Sequence, residues 1–192
     1  MGIELARRAG NFGNRLAIDG SGGTATYSAL LARSGAVAAA LLSDRDDLRD
    51  RRVAFLVPPG ADHVAVRWGI WRAGGMAVPL ALSHPEPELE RAVADCEPAA
   101  LIGSDAEAER LRGIAGRAGI ELLAVPALGA QAALPALPEV APDRPALMVY
   151  TSGTTGAPKG VVTTHSMVRR GARAHVVCVR PSVGWRMKEW ID

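Results

Sequence analysis

Between residues 150 and 160 the chain reads Tyr150-Thr151-Ser152-Gly153-Thr154-Thr155-Gly156-Ala157-Pro158-Lys159-Gly160. These residue types suit one task, the wrapping of a polyphosphate. Gly153, Gly156 and Gly160 allow tight turns that bring backbone N–H groups against anionic oxygens. Thr151, Ser152, Thr154 and Thr155 offer four hydroxyl donors, and Lys159 adds a mobile positive charge. Hydrogen bonds assisted by charge are about twice as strong as neutral ones. The run is not a Walker A loop. Counted from Gly153, Pro158 stands where that pattern needs its second glycine, and Gly160 follows the lysine.

The elements that must position this loop alternate short apolar runs with longer amphipathic stretches, as in an α/β domain. Strands are predicted over 16–19, 53–57, 76–80, 99–102, 120–125 and 146–150. The 53–57 run, Val-Ala-Phe-Leu-Val, is continuously apolar, which predicts burial on both faces. Helices are predicted over 27–42, 61–72 and 105–117, with a further one starting at Pro85. The first presents Leu30, Val37 and Leu41 as a stripe, with Thr26 as its N-cap. In the second, Val64, Trp68 and Trp71 share helical spacing and are read as core fillers. Pro85 suits a first turn, and Glu86, Glu88 and Glu90 suit the positive end of that helix, not a metal site. Gly20–Gly23 reads as a turn and 126–145 as a surface connector. The strand at 146–150 would put the loop at the carboxyl end of a sheet, where open α/β folds bind ligands.

Bulk composition narrows the function classes. The 192 residues are 48% hydrophobic and 22% charged, and 22 basic residues against 20 acidic ones leave a net charge of +2. That balance gives no long-range field strong enough to argue for nucleic acid or an anionic membrane, and neither is expected as a partner. The apolar runs are too short and interrupted for a membrane span, and the first ten residues lack the apolar stretch of a secretory signal. Cys96 and Cys178 form no CxxC pair, so neither a zinc site nor a disulfide framework is indicated. A reducing, cytoplasmic setting is expected.

The run Tyr150–Gly160 resembles the AMP-binding signature of the adenylate-forming superfamily, which includes acyl-CoA synthetases, the adenylation domains of peptide synthetases, and luciferases. Thr26-Tyr27-Ser28-Ala29-Leu30 resembles the first core motif, with Ala29 where the family usually has glutamate. Trp71 to Leu80 is similar to the second, His84-Pro85 to Leu89 follows it as expected, and Val161-Val162-Thr163-Thr164-His165 is also similar. Among subfamilies the chain most resembles malonyl-CoA and related acyl-CoA synthetases. The resemblance covers most of residues 4–168.

This resemblance implies an α/β fold, with residues 1–192 as the N-terminal portion of the AMP-binding large domain. It implies that a carboxylate attacks the α-phosphate of ATP with Mg2+, and that coenzyme A then takes the acyl group. The implied partners are thus a nucleotide and a small carboxylic acid. Thr151, Ser152, Gly153, Thr154, Thr155, Gly156 and Lys159 would hold the β- and γ-phosphates. His165 would line the acyl side of the pocket, or serve only as a helix-start histidine satisfied by backbone. The adenine- and ribose-binding stretches and the adenylate-forming lysine of the family are not matched here, so no catalytic or metal-binding residue is assigned. The chain by itself is expected to be inactive. Two alternatives are a module that loads an amino acid onto a carrier protein, and a non-catalytic nucleotide- or partner-binding remnant. The basic tail with Arg169, Arg170, Arg173, Arg180, Arg186 and Lys188 is read as a solvated segment, with Gly171 and Pro181 interrupting a helix. Trp185 and Trp190 in that tail predict poor solubility.

Overall fold

Five parallel strands and one antiparallel edge strand form the main sheet of the computed structural model, which describes residues 3–20, 23–125, 136–151 and 159–178, with side chains to residue 171. In chain order the elements are α1 (Glu4–Gly10), β1 (Leu16–Gly20), β2 (Gly23–Thr26), α2 (Tyr27–Leu42), β3 (Arg52–Leu56), α3 (Ala61–Arg72) and β4 (Met76–Pro79). There follow α4 (Glu86–Cys96), β5 (Ala100–Gly103), α5 (Asp105–Ala118), β6 (Glu121–Ala124), β7 (Pro145–Thr151), β8 (Lys159–Thr164) and α6 (His165–Cys178). The sheet order is β6-β5-β3-β4-β7-β8, and β1 and β2 make a separate hairpin. Within the six-stranded sheet, β8 is the strand that runs against its neighbour.

The apolar run predicted to be buried on both faces is the sheet's centre. Val53, Ala54, Phe55 and Leu56 of β3 have no exposure at all. Their side chains alternate between two cores. Val53 and Phe55 join the residues of α2 and α3, while Ala54 and Leu56 join those of α4 and α5. Helices α2 and α3 approach closely at Gly69, where a Cβ would run into the Val37 side chain and the Ser34 carbonyl. Arg72 is buried between them because its Nη1 donates to Leu31 O at 2.6 Å and to Ser34 Oγ at 2.7 Å. Trp71 turns the other way, and its Nε1 donates to Ala146 O at 2.5 Å, fastening α3 to the start of β7.

Thr26 caps α2 as predicted, its Oγ1 accepting from the Ala29 N–H at 3.2 Å. Several details depart from the sequence reading. Pro85 is the residue before α4, and Pro87 occupies its first turn. The turn at Gly20–Gly23 leads straight into β2, since Gly20 and Gly23 are already paired. α1 and β8 were not anticipated as elements. α6 passes through Gly171 without a break, whereas Pro181, Trp185 and Trp190 lie outside the described residues. Among those described, no helix is long and apolar enough to cross a membrane.

Candidate functional site

The polyphosphate-type loop is the tip of a hairpin. β7 runs parallel to β4, so its carboxyl end points the way the sheet's other parallel strands do. The chain then returns antiparallel as β8. Ser152, Gly153, Thr154, Thr155 and Gly156, with Ala157 and Pro158, lie outside the described residues. Thr151 and Lys159 are described, and they form the neck. They are cross-strand partners, as are Tyr150 and Gly160, and the Thr151 hydroxyl donates to Lys159 O at 3.5 Å. A seven-residue loop is thereby closed at its base by a β ladder, with no helix N-terminus on its return side.

Lys159 is exposed and makes no ion pair among the described residues. An uncommitted ammonium at the neck of a Gly/Ser/Thr loop fits a polyphosphate. Gly160 plays a different part from the one expected. It is a strand residue, and a Cβ there would meet the Met148 side chain. Its smallness makes room for Met148 and not for a turn.

Behind the neck, the Tyr150 hydroxyl donates to Asp95 Oδ2 at 2.5 Å and lies 3.3 Å from Ala92 O, both on α4. Burial, reinforced by that bond, pushes the phenol well above its ordinary range. Cys96, the next residue of α4, is buried and its thiol is pushed up to about 11, chiefly by burial. An inert, packed cysteine fits that position. Sequence reasoning missed Asp95 because its partner lies 55 residues away.

His165 is not with the loop. It follows β8, and at about 3.3 Å per residue the strand puts it roughly 20 Å from Lys159. Its backbone N–H donates to Arg144 O at 3.1 Å, and its ring packs edge-on against Trp71 at a centroid distance of 5.5 Å. Its Nε2 is buried and has no hydrogen-bond partner among the described residues, so backbone does not satisfy that nitrogen. Burial, with Arg144 nearby, brings its pKa down to about 4 against an opposing pull from Asp50. Arg144 itself is a clamp. It donates to both carboxylate oxygens of Asp47 at 2.8 and 2.9 Å, to Asp50 Oδ1 at 2.6 Å and to Gly74 O at 2.7 Å. Burial would raise the Asp47 pKa, but the Arg144 bonds, the Arg49 N–H bond and the charges of both arginines together outweigh it and hold the carboxyl below its usual value.

The described residues define an α/β protein whose mainly parallel sheet is covered on both faces at its centre, with the Gly/Ser/Thr/Lys segment joining the antiparallel pair at its edge. The chain belongs to the AMP-binding enzyme family, whose pattern matches residues 5–189. It is 36% identical over 172 residues to the human mitochondrial malonate–CoA ligase ACSF3, covering 84% of this chain and 30% of that protein. The malonate–CoA ligase of Arabidopsis thaliana is 32% identical over 190 residues, covering 86% of this chain and 31% of the relative. Among solved structures, ATP-bound MatB from Rhodopseudomonas palustris superposes with a TM-score of 0.76 at 26% identity, over 92% of this chain and 38% of that one. The α/β architecture is thus that of part of an adenylate-forming enzyme. The chain spans about 30% of the length of these curated relatives.

Proposed function

We propose that this chain contributes the phosphate-gripping part of an acyl-CoA synthetase acting through an acyl-adenylate. The observation that carries this reading is the family match across residues 5–189, with the loop's neck built as a β ladder and Lys159 exposed and in no ion pair with the described residues. A carboxylate oxygen attacks the α-phosphorus of ATP and the bond to the β-phosphate oxygen breaks, so pyrophosphate leaves carrying the new negative charge. A coenzyme A thiol then attacks the acyl carbonyl, loses its proton and displaces AMP. The loop's share would be electrostatic. Thr151, Ser152, Gly153, Thr154, Thr155, Gly156 and Lys159 would hold the β- and γ-phosphates where that charge accumulates. Mg2+ bound with the nucleotide would neutralise part of the same charge. The names of the relatives favour malonate as the carboxylate.

His165 fits this scheme less well than the sequence suggested. Its distance from the loop and its packing on Trp71 favour a structural role over one in the acyl pocket. A cytoplasmic setting remains our proposal from composition alone, as the human relative's name places that protein in mitochondria.

Lys159 and Lys188 are the chain's two lysines, so a lysine-specific endoproteinase reads the neck directly. ATP and pyrophosphate with Mg2+ are expected to slow cleavage after Lys159, and AMP is not. Equal protection by AMP would place the contact elsewhere and overturn the phosphate assignment. Purified chain given ATP, Mg2+, coenzyme A and malonate is expected to release no pyrophosphate above background. Turnover would show that these residues suffice, and protection without turnover in a full-length homologue would favour the non-catalytic alternative.

A further inference from the structure

The ladder that ties the loop's base to the sheet is short. β7 is in register with β4 at one pair, Ala77 with Leu147, and β8 is the sheet's edge. Beyond Leu147 the hairpin runs on with Val149, Val161 and Val162 exposed, so little apolar packing holds its far half. What returns it to the body of the domain is the inner row, Met148 and Tyr150, packed on the core formed by α4 and α5. Tyr150 adds a directional contact to this packing, through its hydroxyl bond to Asp95.

That bond is short and its acceptor is a carboxylate, which makes it strong for its kind. Asp95 sits one residue before the end of α4, whose position is fixed independently. Arg52 at the start of β3 donates from Nη1 to Cys96 O at 2.7 Å. The Asp95 carboxylate is therefore presented from a helix end already anchored to the sheet's central strand. Tyr150 is the cross-strand partner of Gly160 and the residue before Thr151.

We propose that Asp95 is a positioning residue for the β7–β8 neck, acting through Tyr150 to keep Thr151 and Lys159 paired. The proposal deepens the functional reading above and rests on it for its relevance to ATP. The tether itself is measurable without nucleotide. Asp95 touches no reacting atom; it sets where the loop's two ends stand.

The experiment compares cleavage after Lys159 by lysine-specific endoproteinase in the wild-type chain, Tyr150→Phe, Asp95→Ala and the double variant, first without nucleotide. Cleavage of a residue paired in a ladder requires local opening, so its rate reports how often the neck opens. Either single variant is expected to speed cleavage by about threefold to tenfold, a charge-assisted bond discounted for the exposure of Asp95. The double variant is expected to be no faster than the singles, because both remove one bond. Asp95→Asn, which keeps an acceptor oxygen, is expected to recover most of the slow rate. Thermal midpoints of the four proteins separate neck opening from general loosening, since Tyr150→Phe keeps the packed ring. Wild-type rates in both single variants would overturn the proposal, as would effects that simply multiply in the double variant. Repeating the digest with ATP and Mg2+ tests the link to function: protection weakened in parallel with neck opening supports it. An open neck with undiminished ATP protection refutes positioning while leaving the phosphate assignment standing. Absence of ATP protection in the wild type refutes the phosphate assignment alone.

Discussion

The centre of the sheet and its β7–β8 edge are built on opposite terms. In β3 every residue from Val53 to Leu56 is sealed between two helical layers. In β8 the successive residues Val161 and Val162, which point to opposite faces, are each 48% exposed. The centre is closed by local βα units whose helices follow their strands directly. The edge carries the residues proposed to grip phosphate; Met148 and Tyr150 pack one face of β7 on the core of α4 and α5, while Val149, Val161 and Val162 are left exposed. A sealed centre and an exposed edge are thus divided between two parts of one sheet, with Trp71, Arg144 and Tyr150 as the joints.

The largest effect should come from the joint that belongs to the centre. Trp71→Ala removes a buried aromatic and leaves Ala146 O without its donor. A loss of about 3–5 kcal/mol is expected in denaturant unfolding. A loss below 1 kcal/mol would mean that β7 is held without α3, and would break the division drawn here.

Next comes a pH effect at the boundary. The His165 pKa is depressed from its ordinary 6.5 to about 4, first by burial and then by Arg144. The folded state therefore binds fewer protons than the unfolded chain between those values. The stabilisation is complete above about pH 6.5 and is lost as pH falls towards 4, a change of roughly 2–3 kcal/mol. His165→Phe should flatten that acid limb, although Asp47, whose pKa is also lowered, will add a loss at still lower pH. Unfolding curves collected at successive pH values test this. An unchanged limb would show that the ring is hydrated.

The smallest effect sharpens the contrast from the other side. Val161→Lys and Val162→Lys should each change stability by less than about 0.5 kcal/mol. They should also reduce self-association in light scattering, because charge on an edge strand blocks pairing with another copy. A large destabilisation would reveal that β8 is packed after all.

Much of the centre was legible in the sequence. The continuous apolar run at 53–57, the stripe of Leu30, Val37 and Leu41, and Thr26 as cap all carry periodicity or local hydrogen bonding, which short windows encode. β8 was missed because Lys-Gly-Val-Val-Thr-Thr has no alternation; an edge strand open on both faces has no need of one. α1 was missed because it is only seven residues long. Gly171 was misjudged as a helix breaker. One glycine in a helix interior costs only about 1 kcal/mol, which the rest of the helix can absorb.

The site was legible in a different way. Residue types and spacing between Tyr150 and Gly160 carry the proposal of phosphate binding, because gripping phosphate requires glycines, hydroxyls and a cation close together in one loop. The sequence also determined the central strands and the helices that cover them, since burial on a regular lattice leaves a periodic trace. Tertiary structure alone decided that the loop is a hairpin tip, that Asp95 stands behind its neck, and that His165 lies at the far end of β8 against Trp71. The last two relations join residues tens of positions apart through single hydrogen bonds or ring contacts. Such contacts leave no period in the chain, and only the packed sheet brings their partners within reach.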